Sequence, residues 1–172
     1  MHITKPTFIV AELPDNVAAW VRATRATFEP AIAHLPAEVT LAGSSGVGPI
    51  AQGERVDRVR SALESALAGR LPFEARFDGI DSFAGTEIFF ASPEPEPFMT
   101  LHHAIATSGI EFGPTAFLYR PHCSLKGLTP LLPGQREALM RLSVPPGPFV
   151  IHTVAVYEIE RMQPNRLLSV SG

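Results

Sequence analysis

Hydrophobic and polar residues along the chain alternate between the spacing of strands and the spacing of helices. After a first strand that begins at Phe8, apolar residues between Val17 and Phe28 recur at helical spacing. The segment PAEVTLAG (36–43) predicts a second strand, and an apolar stripe over 56–67 predicts a second helix. With a further strand predicted in LPFEARFDGIDSF (71–83), the first half has the order strand, helix, strand, helix, strand.

The second half of the chain repeats this order. TEIFFASP (86–93) predicts a strand, residues 98–108 predict a helix, and FLYRPHCSLKG (117–127) predicts a strand closed by glycine. A short helix within LLPGQREALMRL (131–142) and a final strand in GPFVIHTVAVYEIER (147–161) complete the series.

This repetition predicts a single domain, residues 1–172, made of two structural repeats over about 8–83 and 86–161. Neither repeat, at roughly 80 residues, needs to be stable alone. The expected fold class is α+β and bilobal, with two antiparallel-rich sheets related by a pseudo-twofold axis around a central cleft and helices outside. An ordinary α+β sandwich in which the similarity is chance is the alternative.

The closest match between the repeats lies in two short segments, PAEVTLAG and RPHCSLKG. Because alternate residues of a strand face opposite sides, Glu38 and Thr40 share one face, and His122 and Ser124 share the equivalent face. Pseudo-twofold symmetry would place these four side chains around one cleft. Cys123 is expected to point away from it, as a buried apolar residue.

Composition narrows the classes of function. Fourteen basic and seventeen acidic side chains give a formal charge of -3, so no large nucleic-acid-binding surface is expected. The chain shows no signal-peptide pattern and no stretch of membrane-spanning length, which predicts a cytoplasmic protein without membrane contact. A monomer is the expected oligomeric state. A single cysteine excludes an internal disulfide and a cysteine-based metal cage.

The paired segments resemble the two-histidine phosphoesterase superfamily, which includes the 2′,5′ RNA ligase-like proteins and the cyclic nucleotide phosphodiesterases. Its signature is a pair of His-x-Thr/Ser-x strands. HCSL (122–125) is a full match, whereas EVTL (38–41) has glutamate at the histidine position. The resemblance implies a bilobal fold and phosphodiester chemistry, without metal or cofactor, on 2′,3′-cyclic phosphates or 2′,5′ linkages of a nucleotide or short RNA end.

The resemblance also implies roles for individual residues. In such sites one histidine acts as general base and the other as general acid, each contributing roughly 10²- to 10⁴-fold, while the hydroxyls bind phosphate. Carried over by position, His122 and Glu38 form the catalytic pair, and Thr40 and Ser124 bind the substrate.

Glu38 is the departure from the family pattern. An ionised carboxylate repels phosphate by about 4 kcal/mol at about 4 Å and an effective dielectric of about 20. It could act as a weak base or, if burial raises its pKa, as the general acid. A degenerate member that binds a nucleotide or anionic metabolite without turnover is the alternative, and an interaction module that keeps only the fold is a third possibility.

Four further residues are candidates for substrate binding. Arg120 and Lys126 share the parity of His122 and can offer positive charge to a phosphate. Arg76 and His152 occupy counterpart positions in the final strands of the two repeats and are candidates to line the cleft. For each of the four, an ordinary solvated side chain is the alternative.

No metal site is predicted. Adjacent helical residues such as His102 and His103 point about 100° apart, which disfavours a shared metal ion. The segment GSSGVG (43–48) lacks the spacing of a nucleotide-binding loop and is interpreted as a connection beside the cleft.

Overall fold

The structure, a computed structural model, describes all 172 residues. The helices are α1 (Asp15–Phe28), α2 (Val56–Leu67), α3 (Pro95–Ala106) and α4 (Gln135–Met140). The strands are β1 (Thr7–Glu12), β2 (Glu38–Ala42), β3 (Phe73–Ala75), β4 (Phe77–Ser82), β5 (Phe89–Pro93), β6 (Cys123–Lys126), β7 (Phe149–Ile151), β8 (Thr153–Glu160) and β9 (Gln163–Ser171).

The strands form two main sheets, both antiparallel. One has the order β2-β1-β8-β9 and the other the order β4-β5-β6, while β3 pairs with β7 in a small ribbon between the halves. Each main sheet contains a strand from the opposite half, because β8 pairs with β1 and β4 pairs with β5. The predicted α+β fold with antiparallel sheets is therefore confirmed.

The apolar faces of the elements meet in one continuous core that draws residues from both halves. On α2 the buried residues are Val59, Leu63 and Leu67, one per helical turn. On β6, Cys123 and Leu125 are fully buried, and Ser124 between them is not. Cys123 therefore faces the core as predicted, and burial raises the pKa of its thiol to about 12.

Several strand boundaries differ from the sequence prediction. The predicted strand over 71–83 breaks at Arg76, and that over 147–161 breaks at His152. The strand predicted from residue 117 begins only at Cys123, since Pro121 lacks an N–H and restricts the residue before it.

Strand β9 was not predicted at all. It follows β8 through a two-residue turn in which Arg161 and Met162 have φ values of 49° and 64°. Such turns usually contain Asn or Gly, so the sequence carried no hairpin signal here. None of the helices combines the length and the hydropathy that a membrane span requires.

Candidate active site

Strands β2 and β6 are edge strands of the two sheets, and side chains from the opposite half cover their free edges. Arg25 of α1 donates from Nε to the carbonyl of Ser124 at 2.9 Å. In return, Tyr119 donates its hydroxyl to the carbonyl of Thr40 at 3.0 Å, and His102 donates from Nδ1 to that of Leu41 at 2.7 Å. These bonds satisfy backbone groups that a free edge would leave unpaired, and they fix the two motif strands against each other.

A cavity of about 330 Å³ lies between the motif strands. Its polar lining includes Glu38 and Thr40 from β2, Ser124 from β6, and Arg25 and Tyr157. The rest is mainly apolar, with side chains that include Phe8, Ile32, Leu35, Ile88, Leu128 and Ile159. Three of the four predicted motif residues therefore meet in one cavity.

Glu38 is withdrawn from water at the cavity wall. Burial raises the pKa of its carboxyl to about 7, although the charge of Arg25 and a hydrogen bond from Thr40 partly oppose this. The Thr40 hydroxyl donates to the two carboxylate oxygens at 3.1 and 3.3 Å. Near neutral pH about half of the Glu38 side chains therefore carry a proton.

His122 lies directly before β6, and its ring packs edge-on against Phe83 and Phe90, with centroids 5.0 and 5.4 Å away. Its Nδ1 lies 2.8 Å from the carbonyl of Arg120. Because a carbonyl only accepts, Nδ1 carries the proton, and the lone pair of the neutral ring is on Nε2. Burial lowers the pKa of His122, so its neutral form is favoured at pH 7. His122 itself does not line the cavity, whereas Ser124, two residues further on, does.

The sequence suggested that Lys126 offers positive charge to a phosphate, but in the structure its charge is used inside the protein. Its ammonium group is buried and donates to Oε2 of Glu29 at 3.2 Å, and to the carbonyl and hydroxyl of Thr129 at 3.0 and 2.8 Å. Three donors and three acceptors leave no N–H for a phosphate.

Glu29 fixes the loop that follows β6. Burial alone would raise the pKa of its carboxyl, but hydrogen bonds from Thr129, Gly127 and Leu128 hold it at about 2. The backbone N–H groups of these three residues lie 3.0 to 3.2 Å from Oε2. Since Gly127 and Leu128 line the cavity, this buried carboxylate shapes its wall.

Lys126 still lines the cavity with part of its side chain, whereas the other three candidates from the sequence, Arg120, Arg76 and His152, do not line it. Arg120 pairs with Asp81 and stacks over the Phe90 ring, 4.8 Å from its centroid, beside His122. Arg76 is exposed, 3.9 Å from Glu94. His152 is also exposed, with Nδ1 3.3 Å from an oxygen of Gly172. Strand parity does not hold at Arg76 and His152 because a strand breaks at each position.

Sequence reasoning missed two residues that line the cavity. Arg25 is 3% exposed and continues the buried stripe of α1 at the spacing Val17, Val21, Arg25, so a charge on an apolar helix face was an available signal. Tyr157 of β8 donates its hydroxyl to Oε1 of Glu12 at 2.6 Å. A tyrosine in a strand is common, and nothing in the sequence singled it out.

The fold and the site define a class of protein: a bilobal α+β protein with two motif strands from opposite halves around one cleft and a titratable residue in each motif. No group of three or more His, Cys, Asp or Glu side chains is arranged to hold a metal ion. The family model of the 2′-5′ RNA ligase superfamily matches residues 13–163, which is most of the chain. The chain therefore belongs to the 2′-5′ RNA ligase superfamily, and the resemblance to two-histidine phosphoesterases is confirmed.

Solved structures agree with this assignment at the level of the fold. The protein TT0787 of Thermus thermophilus is 20% identical, with a TM-score of 0.65 and coverage of 99% of this chain and 97% of that one. Escherichia coli LigT complexed with 3′-AMP is 17% identical, with a TM-score of 0.60 and coverage of 98% of each chain. A structure described as a phosphoesterase is 17% identical, with a TM-score of 0.57 and coverage of 98% of each chain. No curated protein matches the sequence significantly.

Proposed function

We propose that this protein is a metal-independent phosphodiesterase that acts on 2′,3′-cyclic phosphates or 2′,5′ linkages of cytoplasmic nucleotides or RNA ends. The observation that carries the proposal is the convergence of Glu38 and Thr40 from one motif strand and Ser124 from the other on a single cavity. Membership of the superfamily supports it. The Escherichia coli relative LigT has structures with 3′-AMP, with ATP and with NADP+, which supports a nucleotide ligand.

The two titratable groups take complementary roles in hydrolysis. His122 does not itself line the cavity, but it lies two residues before Ser124, which does. In the proposed reaction, Nε2 of neutral His122 accepts a proton from a water molecule as the water oxygen attacks phosphorus. The bond from phosphorus to a ribose oxygen breaks, and protonated Glu38 gives its proton to that oxygen. Each proton transfer is expected to contribute roughly 10²- to 10⁴-fold. The hydroxyls of Ser124 and Thr40 hold phosphoryl oxygens meanwhile.

Protonation of Glu38 also removes the electrostatic repulsion between its carboxylate and the substrate. The neutral form of Glu38 has no charge to oppose a phosphodiester, and an approaching anion raises the pKa of Glu38 further. Thr40 donates to this carboxylate in the free protein. Once Glu38 is neutral, it accepts less strongly, and the Thr40 hydroxyl is released for the phosphate.

Hydrolysis of 2′,3′-cyclic nucleotides tests the proposal most directly. We expect His122→Ala to lower the rate by roughly 10²- to 10⁴-fold, because the general base is lost. His103→Ala is the matched control, since it removes an exposed imidazole from α3, and it should keep the full rate. Equal rates for wild type and His122→Ala would overturn the proposal.

A second candidate is binding of a nucleotide or anionic metabolite without turnover. The observation that favours it is the hydrogen bond from Thr40 to Glu38, which engages one of the two motif hydroxyls within the protein. The other motif hydroxyl, on Ser124, has no protein partner and is free to bind an anion. Here a cyclic nucleotide would bind saturably, Ser124→Ala would weaken that binding, and no product would form over hours. A failure to bind any phosphate ester would reject both candidates.

A further inference from the structure

Arg25 carries the one guanidinium group that lines the cavity. Its Nε donates to Ser124, and its Nη1 donates to the carbonyls of Leu35 and Pro36 at 3.2 and 3.0 Å. An arginine has five N–H groups, so the two on Nη2 remain without a protein acceptor. No buried side-chain nitrogen or oxygen of the protein lacks a partner, so Nη2 is not sealed inside the core. It is therefore open to the cavity that Arg25 lines.

The charge of Arg25 is compensated only in part, by the nearby Glu38, whose pKa of about 7 leaves it protonated in about half of the molecules at neutral pH. No carboxylate forms an ion pair with it, although the side chain is 3% exposed. The other cation of the lining, Lys126, is neutralised by Glu29. A buried charge without a partner is costly, and a bound anion would remove that cost. With Glu38 protonated, the cavity has an excess of one positive charge.

We propose that Arg25 is the anion-binding residue of this cavity, and that its Nη2 and the hydroxyl of Ser124 hold the phosphoryl oxygens of a singly charged phosphodiester. The inference rests on the proposed function for the kind of ligand, and it adds a recognition residue and a selectivity. One excess positive charge matches one negative charge. A phosphomonoester at pH 7 is mostly dianionic, because its second pKa is about 6, and its extra charge would remain uncompensated among apolar side chains.

The hydrogen bonds of Arg25 also hold the guanidinium ready for this role. They attach it to the Ser124 carbonyl in one half and to the segment just before Glu38 in the other. The donor therefore needs little reorganisation when an anion arrives, which is the condition for strong electrostatic binding.

Binding of ligands that cannot be turned over tests the inference separately from catalysis. A matched series is the methyl phosphodiester of 2′-deoxyadenosine 3′-phosphate, the free 3′-phosphate, and 2′-deoxyadenosine, titrated calorimetrically at pH 7. In wild type we expect the diester to bind tightest and the nucleoside weakest. Arg25→Gln should weaken the diester roughly 10- to 100-fold, the effect of losing a hydrogen bond to a charged group. Arg22→Gln, an exposed arginine one turn earlier on α1, is the control and should bind as wild type.

The outcomes separate this inference from the proposed function. Unchanged diester binding by folded Arg25→Gln, with circular dichroism like wild type, would overturn the inference even if cyclic phosphates are hydrolysed. If Arg25→Gln does not fold, the wild-type ranking decides, and a monoester or nucleoside that binds as tightly as the diester would overturn it. Arg25-dependent diester binding with no hydrolysis of any cyclic phosphate would instead reject the proposed function and leave this inference standing.

Discussion

Glu38 on β2 and His122 beside β6 hold equivalent positions in the two halves, and both side chains are largely withdrawn from water. Burial raises the pKa of Glu38 to about 7 and lowers that of His122. One physical cause, the loss of hydration of the charged form, therefore acts in opposite directions on an acid and a base. Both groups are driven toward neutrality near pH 7, and one keeps a proton to give while the other keeps a lone pair.

The two halves differ in the hydroxyl that follows each titratable residue. Thr40 donates to Glu38, whereas the Ser124 hydroxyl has no protein partner and lies next to the carbonyl that Arg25 binds. The β2 side is thus equipped to handle a proton and the β6 side to hold an anion. In the proposed mechanism, Glu38 takes over the proton-donating role of a family histidine.

The contrast between Glu38 as proton donor and His122 as proton acceptor predicts its largest effect in the pH dependence of hydrolysis. The proposed mechanism requires protonated Glu38 and neutral His122, so the rate should fall above about pH 7 and again at low pH, as the lowered pKa of His122 is passed. Glu38→Gln should lower the rate roughly 10²- to 10⁴-fold and abolish the alkaline limb of the residual activity. An alkaline limb that persists in Glu38→Gln would assign it to another group.

The free energy of unfolding should also depend on pH through Glu38. The folded pKa of Glu38, about 7, lies above the ordinary value of 4.5, so the protonated carboxyl favours folding and this contribution is lost as pH rises from about 4.5 to 7. Glu38→Gln avoids that loss. Relative to wild type, it should stabilise the fold by up to about 3 kcal/mol at pH 8 and by almost nothing at pH 4. Urea unfolding at the two pH values measures this, and a variant that is equally stable relative to wild type at both would contradict the raised pKa.

The Glu38→His variant tests whether histidine, the residue of the family motif, supports faster hydrolysis in this cavity than glutamate does. An imidazole here would be buried beside Arg25, and both influences lower its pKa. The site would then have two neutral imidazoles and no proton donor at pH 7. We expect a rate about tenfold lower at pH 7, with the optimum moved to more acidic pH, since each unit of pKa below the working pH costs tenfold in protonated fraction. A large gain at pH 7 would instead show that Glu38 impairs a site built for histidine.

The fold was largely predictable from the sequence because burial follows strand parity and helical spacing. Val39 and Leu41 of β2 and Cys123 and Leu125 of β6 are all fully buried, as the alternation indicated. Strand β9 was missed because its turn places Met162 and its neighbour at positive φ without Asn or Gly.

The geometry of the candidate site was predictable only for residues whose positions the motifs define. Parity brought Glu38, Thr40 and Ser124 together, but it could not show that Lys126 donates to Glu29 and Thr129 instead. That outcome depends on a loop closing around a residue 97 positions away. The position of Arg25 depends likewise on contacts between distant segments, although its place on an apolar helix face was a visible anomaly.

Substitutions of Arg76 and His152 are expected to have the smallest effects on stability and hydrolysis. They test whether the functional equivalence of the two halves extends beyond the motif strands. Both occupy breaks between strands at corresponding places in the two halves, both are exposed, and neither lines the cavity. Arg76→Ala and His152→Ala should each change the free energy of unfolding by less than about 0.5 kcal/mol, as surface substitutions usually do, and should leave cyclic phosphate hydrolysis unchanged. Parallel unfolding and rate measurements on the two variants check this. A tenfold loss of hydrolysis in either would mean that the substrate extends beyond the cavity, across the β3-β7 ribbon, and that the functional symmetry reaches further than the two motif strands.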